Sequence, residues 1–134
     1  MSKKYYLDTS IYIDYYENRS DKFRPLGDWA HMLLSLIECN GDVLIISDIL
    51  IEELNRYIKS ENVFQDYKGQ IEKIEFTRKQ LEEARKFATE RKVPLGDALH
   101  AIIARDSNAV LVARDKHFEK LRDICESKKP EEII

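Results

Sequence analysis

Two stretches of the chain, Val43-Leu44-Ile45-Ile46 and Val110-Leu111-Val112, are unbroken aliphatic runs bounded by segments of helical pattern. A strand that alternates polar and apolar residues leaves one face in water, whereas a continuous apolar run must bury both faces. Tyr5-Tyr6-Leu7 adds a third short run of β-prone residues. Strands of this kind, separated by helices, indicate a parallel sheet covered on both sides. The expected fold is therefore α/β: a single three-layer α/β/α domain over residues 1–134, with a central, mainly parallel sheet. A chain of this length buries about two-thirds of its unfolded surface and needs neither disulfide nor structural metal for stability.

Local signals place the remaining elements. Thr9-Ser10 offers capping side chains before a helix that starts at Ile11-Tyr12-Ile13, and Asn18 to Gly27 reads as a loop. A second helix carries Trp29, Met32, Leu33, Leu36 and Ile37 at the spacing of one apolar face and ends at Asn40-Gly41. Ser47-Asp48 caps a third, from Ile49 to about Lys59, with Leu50, Leu54, Tyr57 and Ile58 on one side. Asn62 to Gly69 has no clear pattern, and Ile71, Ile74 and Phe76 suggest a short extended piece. Helices are expected over Arg78 to Arg91 and Asp97 to Asp106, then a short helix with Phe118 and Leu121. Pro130 is expected to stop that helix, and Ile133-Ile134 to form a terminal edge strand.

Charge and cysteine usage narrow the class further. The 22 basic and 25 acidic residues give a net charge of −3, with both signs mixed along the chain. This excludes a disordered acidic tail and a basic nucleic-acid arm. Cys39 and Cys125 have no CxxC partner or nearby histidine, so the expectation is two buried free thiols in a reducing cytoplasm. Asp8 interrupts the apolar run that follows the basic start, which argues against a signal peptide. No aliphatic run approaches the ~20 residues of a membrane span.

In an open parallel sheet, ligands bind beyond the carboxyl ends of the strands. Asp8 closes the first strand, and Asp115 follows the third, within Ala113-Arg114-Asp115-Lys116-His117-Phe118. Asp97 joins them if its helix begins at the same rim, and Glu53 if the helix starting near Ser47 projects its first turns there. Each acid taken alone has a structural reading, as a helix cap or a solvated helix face. Several together would repel one another and raise their pKa values unless a cation neutralised them. Carboxylate ligands select hard ions, Mg²⁺ or Mn²⁺, and Mg²⁺ completes its shell with waters and substrate phosphate, which points to phosphodiester chemistry.

The order of four motifs resembles the PIN domain family, including VapC-type ribonuclease toxins. The motifs are Leu7-Asp8-Thr9-Ser10; Ser47 to Glu53-Leu54; Pro94-Leu95-Gly96-Asp97-Ala98-Leu99-His100-Ala101; and Arg114-Asp115-Lys116-His117-Phe118. The resemblance runs from about Lys4 to Leu121. It implies a metal-dependent endoribonuclease that cuts single-stranded or loop RNA, with Asp8, Glu53, Asp97 and Asp115 as the catalytic and metal-binding acids. It also implies a homodimer and, for a toxin, an antitoxin protein as partner. Glu53 is chosen over Glu52 because the acid of the family precedes a leucine-like residue, here Leu54. One departure stands out: Ala113 occupies a position where many members carry Ser or Thr, so a hydroxyl near the second metal site is missing.

Other features carry less weight. His100 lies one helical turn after Asp97 and packs at the rim or approaches substrate; Arg105, Arg114 and Lys116 are candidate phosphate holders. Tyr12, Tyr15, Tyr16 and Trp29 fit a core or dimer interface better than a base-stacking surface. Two competing readings of the acids are a receiver-like phosphoacceptor domain, with Asp48 as acceptor, and a PIN fold kept as an inert binding module. Without the four proposed ligands, 22 basic residues face 21 acidic ones. The acidic excess therefore resides in a site that would hold cations, and the low pI does not exclude RNA.

Overall fold

The computed structural model describes residues 2–21 and 23–134; Met1 of the basic start and Lys22 of the Asn18 to Gly27 loop lie outside the described residues. Strands β1 (Lys4–Leu7), β2 (Val43–Ser47), β3 (Ile71–Ile74), β4 (Val110–Val112) and β5 (Ser127–Lys128) form one sheet in the order β3-β2-β1-β4-β5. Every neighbouring pair is parallel. Alternate residues of a strand face opposite ways, so the sheet has two buried faces. Tyr5, Leu7, Leu44, Ile46 and Val112 pack on one, Tyr6, Ile45, Leu111 and Ala113 on the other.

Helices cover each face. Residues of α1 (Thr9–Glu17), α2 (Leu26–Asn40), α3 (Asp48–Asn55) and α4 (Ser60–Phe64) join the first cluster. Those of α5 (Arg78–Arg91) and α6 (Leu95–Asp106) join the second, together with the 3₁₀ turn Lys116–Leu121. The chain runs outward from β1 to β2 and β3, then returns through α5 and α6 to β4 on the other side of β1. The strand order therefore reverses between β1 and β4, the point at which a parallel sheet opens a crevice at its carboxyl ends. Leu7 lies opposite Val112, and the Asp8 N–H donates to the Val112 carbonyl at 2.9 Å. That register brings the segments carrying Asp8 and Asp115 side by side.

Several expectations need correction. Thr9 and Ser10 lie inside α1, which begins directly after Asp8. The buried face of α2 is Gly27, Ala30, Leu33, Leu34 and Ile37, because the helix turns its small residues inward; Met32 is 52% exposed. Trp29 instead lies half-buried beneath the Arg114 guanidinium, 5.4 Å from its ring. Helix α3 stops at Asn55, leaving Tyr57 exposed in the turn that follows. Residues 62–69, unassigned from pattern, complete α4 and enter the 3₁₀ turn Gln65–Gln70. Pro130 does not end a helix but opens α7 (Pro130–Ile133), where its missing N–H costs nothing; the edge strand is Ser127–Lys128. Cys39 is exposed and Cys125 half-buried, so neither is a core thiol.

Helix α5 matches its expected limits because its start is chemically marked. Thr77 accepts the Gln80 N–H at 3.1 Å, and the Gln80 side chain accepts the Thr77 N–H at 2.9 Å, a reciprocal capping box. Thr77→Ala is expected to lower stability by about 1 kcal/mol, read as a lower denaturation midpoint at unchanged slope. No helix among the described residues is long and apolar enough to cross a membrane.

Candidate functional site

At the carboxyl ends of β1 and β4 lies a cleft of about 380 Å³, lined by Asp8, Glu53, Asp97 and Asp115 together with Thr9, Ser10 and Ile13. All four acids singled out in the sequence meet there. Asp8 occupies the cap position of α1, yet its carboxylate makes no cap hydrogen bond to the helix. It accepts the Ser10 hydroxyl at 2.9 Å and is 7% exposed. Burial raises its carboxyl above the ordinary range; His100 and Ser10 oppose the rise and Glu53 adds to it.

Glu53 reaches the cleft from α3. Its carboxylate accepts Thr9 Oγ1 at 2.9 Å and lies 3.1 Å, through each oxygen, from His100 Nε2. Burial pushes Glu53 upward, but the hydrogen bond and charge of His100, the Thr9 hydroxyl and the charge of Arg56 together outweigh it and hold the acid below its usual value. The contact with Glu53 raises His100 against its own burial. Glu52, one residue earlier, is exposed, approaches Arg56 at 3.6 Å and does not line this cleft.

Asp97 stands in the first turn of α6. Burial first, then the charges of Asp8 and Asp115, push its carboxyl up to about 6. Asp115 caps the 3₁₀ turn Lys116–Leu121 by accepting the His117 N–H at 2.9 Å, so its capping role and its place in the cleft coexist. His117 Nδ1 lies 3.1 Å from Asp97 and 2.9 Å from Asp115. Ligand atoms of Asp97, Asp115 and His117 all fall within 4.8 Å of one another. Ala113, at the end of β4, is buried and brings no hydroxyl.

Sequence reasoning missed three lining residues, Arg19, Arg56 and Tyr57. Arg56 and Tyr57 follow Glu53 by one helical turn, a spacing that shares a face and was readable; Arg19, beyond α1, gave no signal. The basic residues that were singled out stand elsewhere. Arg114 holds Glu131 at 2.8 Å and Asp14 at 3.8 Å, and Arg105 forks onto Glu83 at 2.9 and 2.8 Å. Lys116 is exposed and outside the cleft lining. Among the aromatics, Tyr12 is buried edge-on against Phe64 and Tyr15 stacks on His31. Asp48 accepts the backbone N–H groups of Ile49 and Phe76 and does not line the cleft.

The donor set decides what the cleft can hold. Among the described residues, no Lys or Arg forms an ion pair with any of the four acids; His100 and His117 are the basic side chains within ion-pair distance of them, and the charge of Arg56 acts on Glu53 from farther off. Arg19 pairs with Glu17 at 2.9 Å, outside the cluster. A crowded, underneutralised group of carboxylates fits a hard divalent cation. A larger groove of about 670 Å³ between α3, α4 and β3 contains Glu61 but none of the four acids.

The PIN domain family model matches residues 5–124. VapBC2 from Rickettsia felis, solved bound to a DNA fragment from their promoter, is similar over 94% of this chain and 98% of that one, at 22% identity and a TM-score of 0.68. A toxin-antitoxin complex from Klebsiella pneumoniae is similar over 94% and 97%, at 18% identity and 0.63. A Pyrobaculum aerophilum protein is similar over 98% and 86%, also at 18% and 0.63. At these identities the structures show a shared fold. No curated protein sequence matches the chain.

Proposed function

The chain belongs to the PIN domain family, and on that premise we propose that it is a metal-dependent endoribonuclease hydrolysing phosphodiester bonds of single-stranded or loop RNA. The observation that carries this reading is the meeting of Asp8, Glu53, Asp97 and Asp115 in one cleft with no Lys or Arg paired to them among the described residues. Asp8 and Asp97 would be the principal holders of Mg²⁺ or Mn²⁺, with Glu53 and Asp115 as outer ligands or proton acceptors. A bound ion supplies a water acidic enough to attack phosphorus at neutral pH. The chain's own residues do the rest. Arg19 and Arg56 flank the acids and would hold phosphates on either side of the scissile one. Tyr57, 67% exposed on the same rim, offers a ring to an unpaired base.

The test is digestion of a defined RNA pool with Mn²⁺ or Mg²⁺, run beside a chelator and beside Asp97→Asn. Cleavage that needs the ion and is lost in Asp97→Asn supports the reading. Metal-independent cleavage, or none, sinks it, and no cleavage together with RNA binding would favour an inert module. For Tyr57, stacking worth ~1–3 kcal/mol predicts that Tyr57→Ala raises KM about 5–150-fold with little change in kcat, while Tyr57→Phe behaves as wild type. Equal KM values for Ala and Phe variants would remove the ring from substrate binding.

We place the protein in the cytoplasm as the toxin of a pair, with an antitoxin protein as partner, supported by the similarity to two toxin-antitoxin assemblies. A homodimer through the α1–α2 face, where Tyr16 and Met32 are exposed, completes the reading; light scattering decides it. The receiver-like alternative has lost its footing, since two helices and no strand separate β1 from β2 and Asp48 lies outside the acidic cleft.

A further inference from the structure

His100 is fully buried, yet both ring nitrogens are engaged. Nδ1 lies 2.6 Å from the Tyr6 hydroxyl, and Nε2 faces Glu53 at 3.1 Å. The Tyr6 hydroxyl lies 2.7 Å from Ser47 Oγ, which accepts the Leu50 N–H at 3.2 Å. The chain of contacts thus runs from the end of β2, through β1 and α6, to an acid on α3.

We infer that Ser47, Tyr6 and His100 form a buried hydrogen-bond relay that holds the Glu53 carboxylate in place on the acidic rim, which makes His100 and Tyr6 positioning residues for the reaction. The purpose of the relay rests on the nuclease reading above, but its geometry does not. Glu53 as an anion only accepts, so His100 must present Nε2–H to it. A neutral ring then needs a donor at Nδ1, and a protonated ring needs an acceptor there. A tyrosine hydroxyl is both, and Ser47 beside it can reverse its own role. The pair therefore keeps Nε2–H aimed at Glu53 in either state of the ring. Thr9 tethers the same carboxylate from α1. Gly96 leaves the space: a Cβ there would stand 2.8 Å from Glu53 Oε1, too close for the acid to stay where it is.

A satisfied core histidine would give the same contacts with no consequence for the cleft, so the test must read the cleft. Mn²⁺ alone is titrated calorimetrically into the full chain and into His100→Leu, His100→Gln and Gly96→Ala, with circular dichroism and unfolding temperature followed in parallel. Loss of an outer positioning partner weakens metal affinity about 10–100-fold. That loss is expected in His100→Leu and largely restored in His100→Gln, whose amide can donate to Glu53. Gly96→Ala is expected to weaken Mn²⁺ binding similarly while its unfolding temperature holds or rises, since Ala is the better helix former. Nitrogen-15 spectra of the histidine rings should show a proton on His100 Nε2.

Wild-type Mn²⁺ affinity in a folded His100→Leu chain would overturn the relay, as would a His100 ring without a proton on Nε2. If His100→Leu does not fold, Gly96→Ala decides in its place, and wild-type affinity there has the same meaning. A wild-type chain that binds no Mn²⁺ would overturn the metal reading of the cleft instead, and the ring spectrum would then judge the relay alone.

Discussion

Asp97→Asn is expected to make the metal-free chain more stable at pH 8 while abolishing metal-dependent cleavage. The folded protein holds the Asp97 carboxyl at about 6 against an ordinary 3.8, because the group is buried beside Asp8 and Asp115. A raised carboxyl pKa means that folding favours the protonated acid. Below about pH 3 the acid is protonated folded or unfolded, and no penalty exists. As pH rises from 3.8 through 6 the unfolded chain ionises freely and the folded one resists, so stability falls across that window and stays reduced above it. The size is roughly 3 kcal/mol at about 1.4 kcal/mol per pKa unit. Asn keeps the shape and cannot ionise, so it escapes the penalty. With a chelator present, its unfolding temperature should exceed wild type by several degrees, on the order of 3–4 °C per kcal/mol for a chain of this size, at pH 8, and match it near pH 3. A variant less stable than wild type at pH 8, or a gap independent of pH, would show that the fold does not hold the Asp97 carboxyl above its ordinary value. The lost cleavage separates this from ordinary stabilisation: the charge that strains the apo fold is the charge the ion requires.

Much of this was legible in the sequence, for physical reasons that differ from element to element. Val43 to Ile46 and Val110 to Val112 announced buried parallel strands because both their faces had to leave water. The limits of α5 were readable because Thr77 and Gln80 cap each other. The face of α2 was not, since hydrophobicity pointed to Met32, whereas close packing used Gly27 and Ala30. Asp8 and Asp115 were found by their places at strand ends, Asp97 by a helix start, and Glu53 was picked over Glu52 by the family resemblance. What pattern alone did not supply was their support: His100 was assigned to the rim, but its link to Tyr6 spans 94 residues of chain, and a pairing that distant leaves no local trace. Arg19 was invisible for the same reason. Arg105 and Arg114, weighed as phosphate holders, are each engaged by a carboxylate, Glu83 and Glu131.

Asp8→Asn is expected to cut activity as deeply as Asp97→Asn. The position of Asp8 follows from the sheet register, because its N–H is tied to Val112 and its side chain leaves the end of β1 into the cleft. At 7% exposure its charge is shielded from water, and the Ser10 hydroxyl is a neutral donor that only partly compensates. A cation is the partner that would repay that burial. Asn preserves volume and can still accept the Ser10 hydroxyl, so the fold should survive with the charge removed. Losing several kcal/mol of transition-state stabilisation from a misheld ion corresponds to a fall in cleavage on the order of 10³. A second readout does not involve RNA. Mn²⁺ at about 100 times its dissociation constant should add ~2.7 kcal/mol to wild-type stability and raise its unfolding temperature; in Asp8→Asn that rise should vanish. Glu52→Gln, one residue from Glu53 but exposed beside Arg56, should keep both the rise and the cleavage. If Asp8→Asn retained the Mn²⁺-induced rise, the ion would be held by Asp97, Asp115 and His117 without Asp8, and the centre of the site would shift from β1 toward β4.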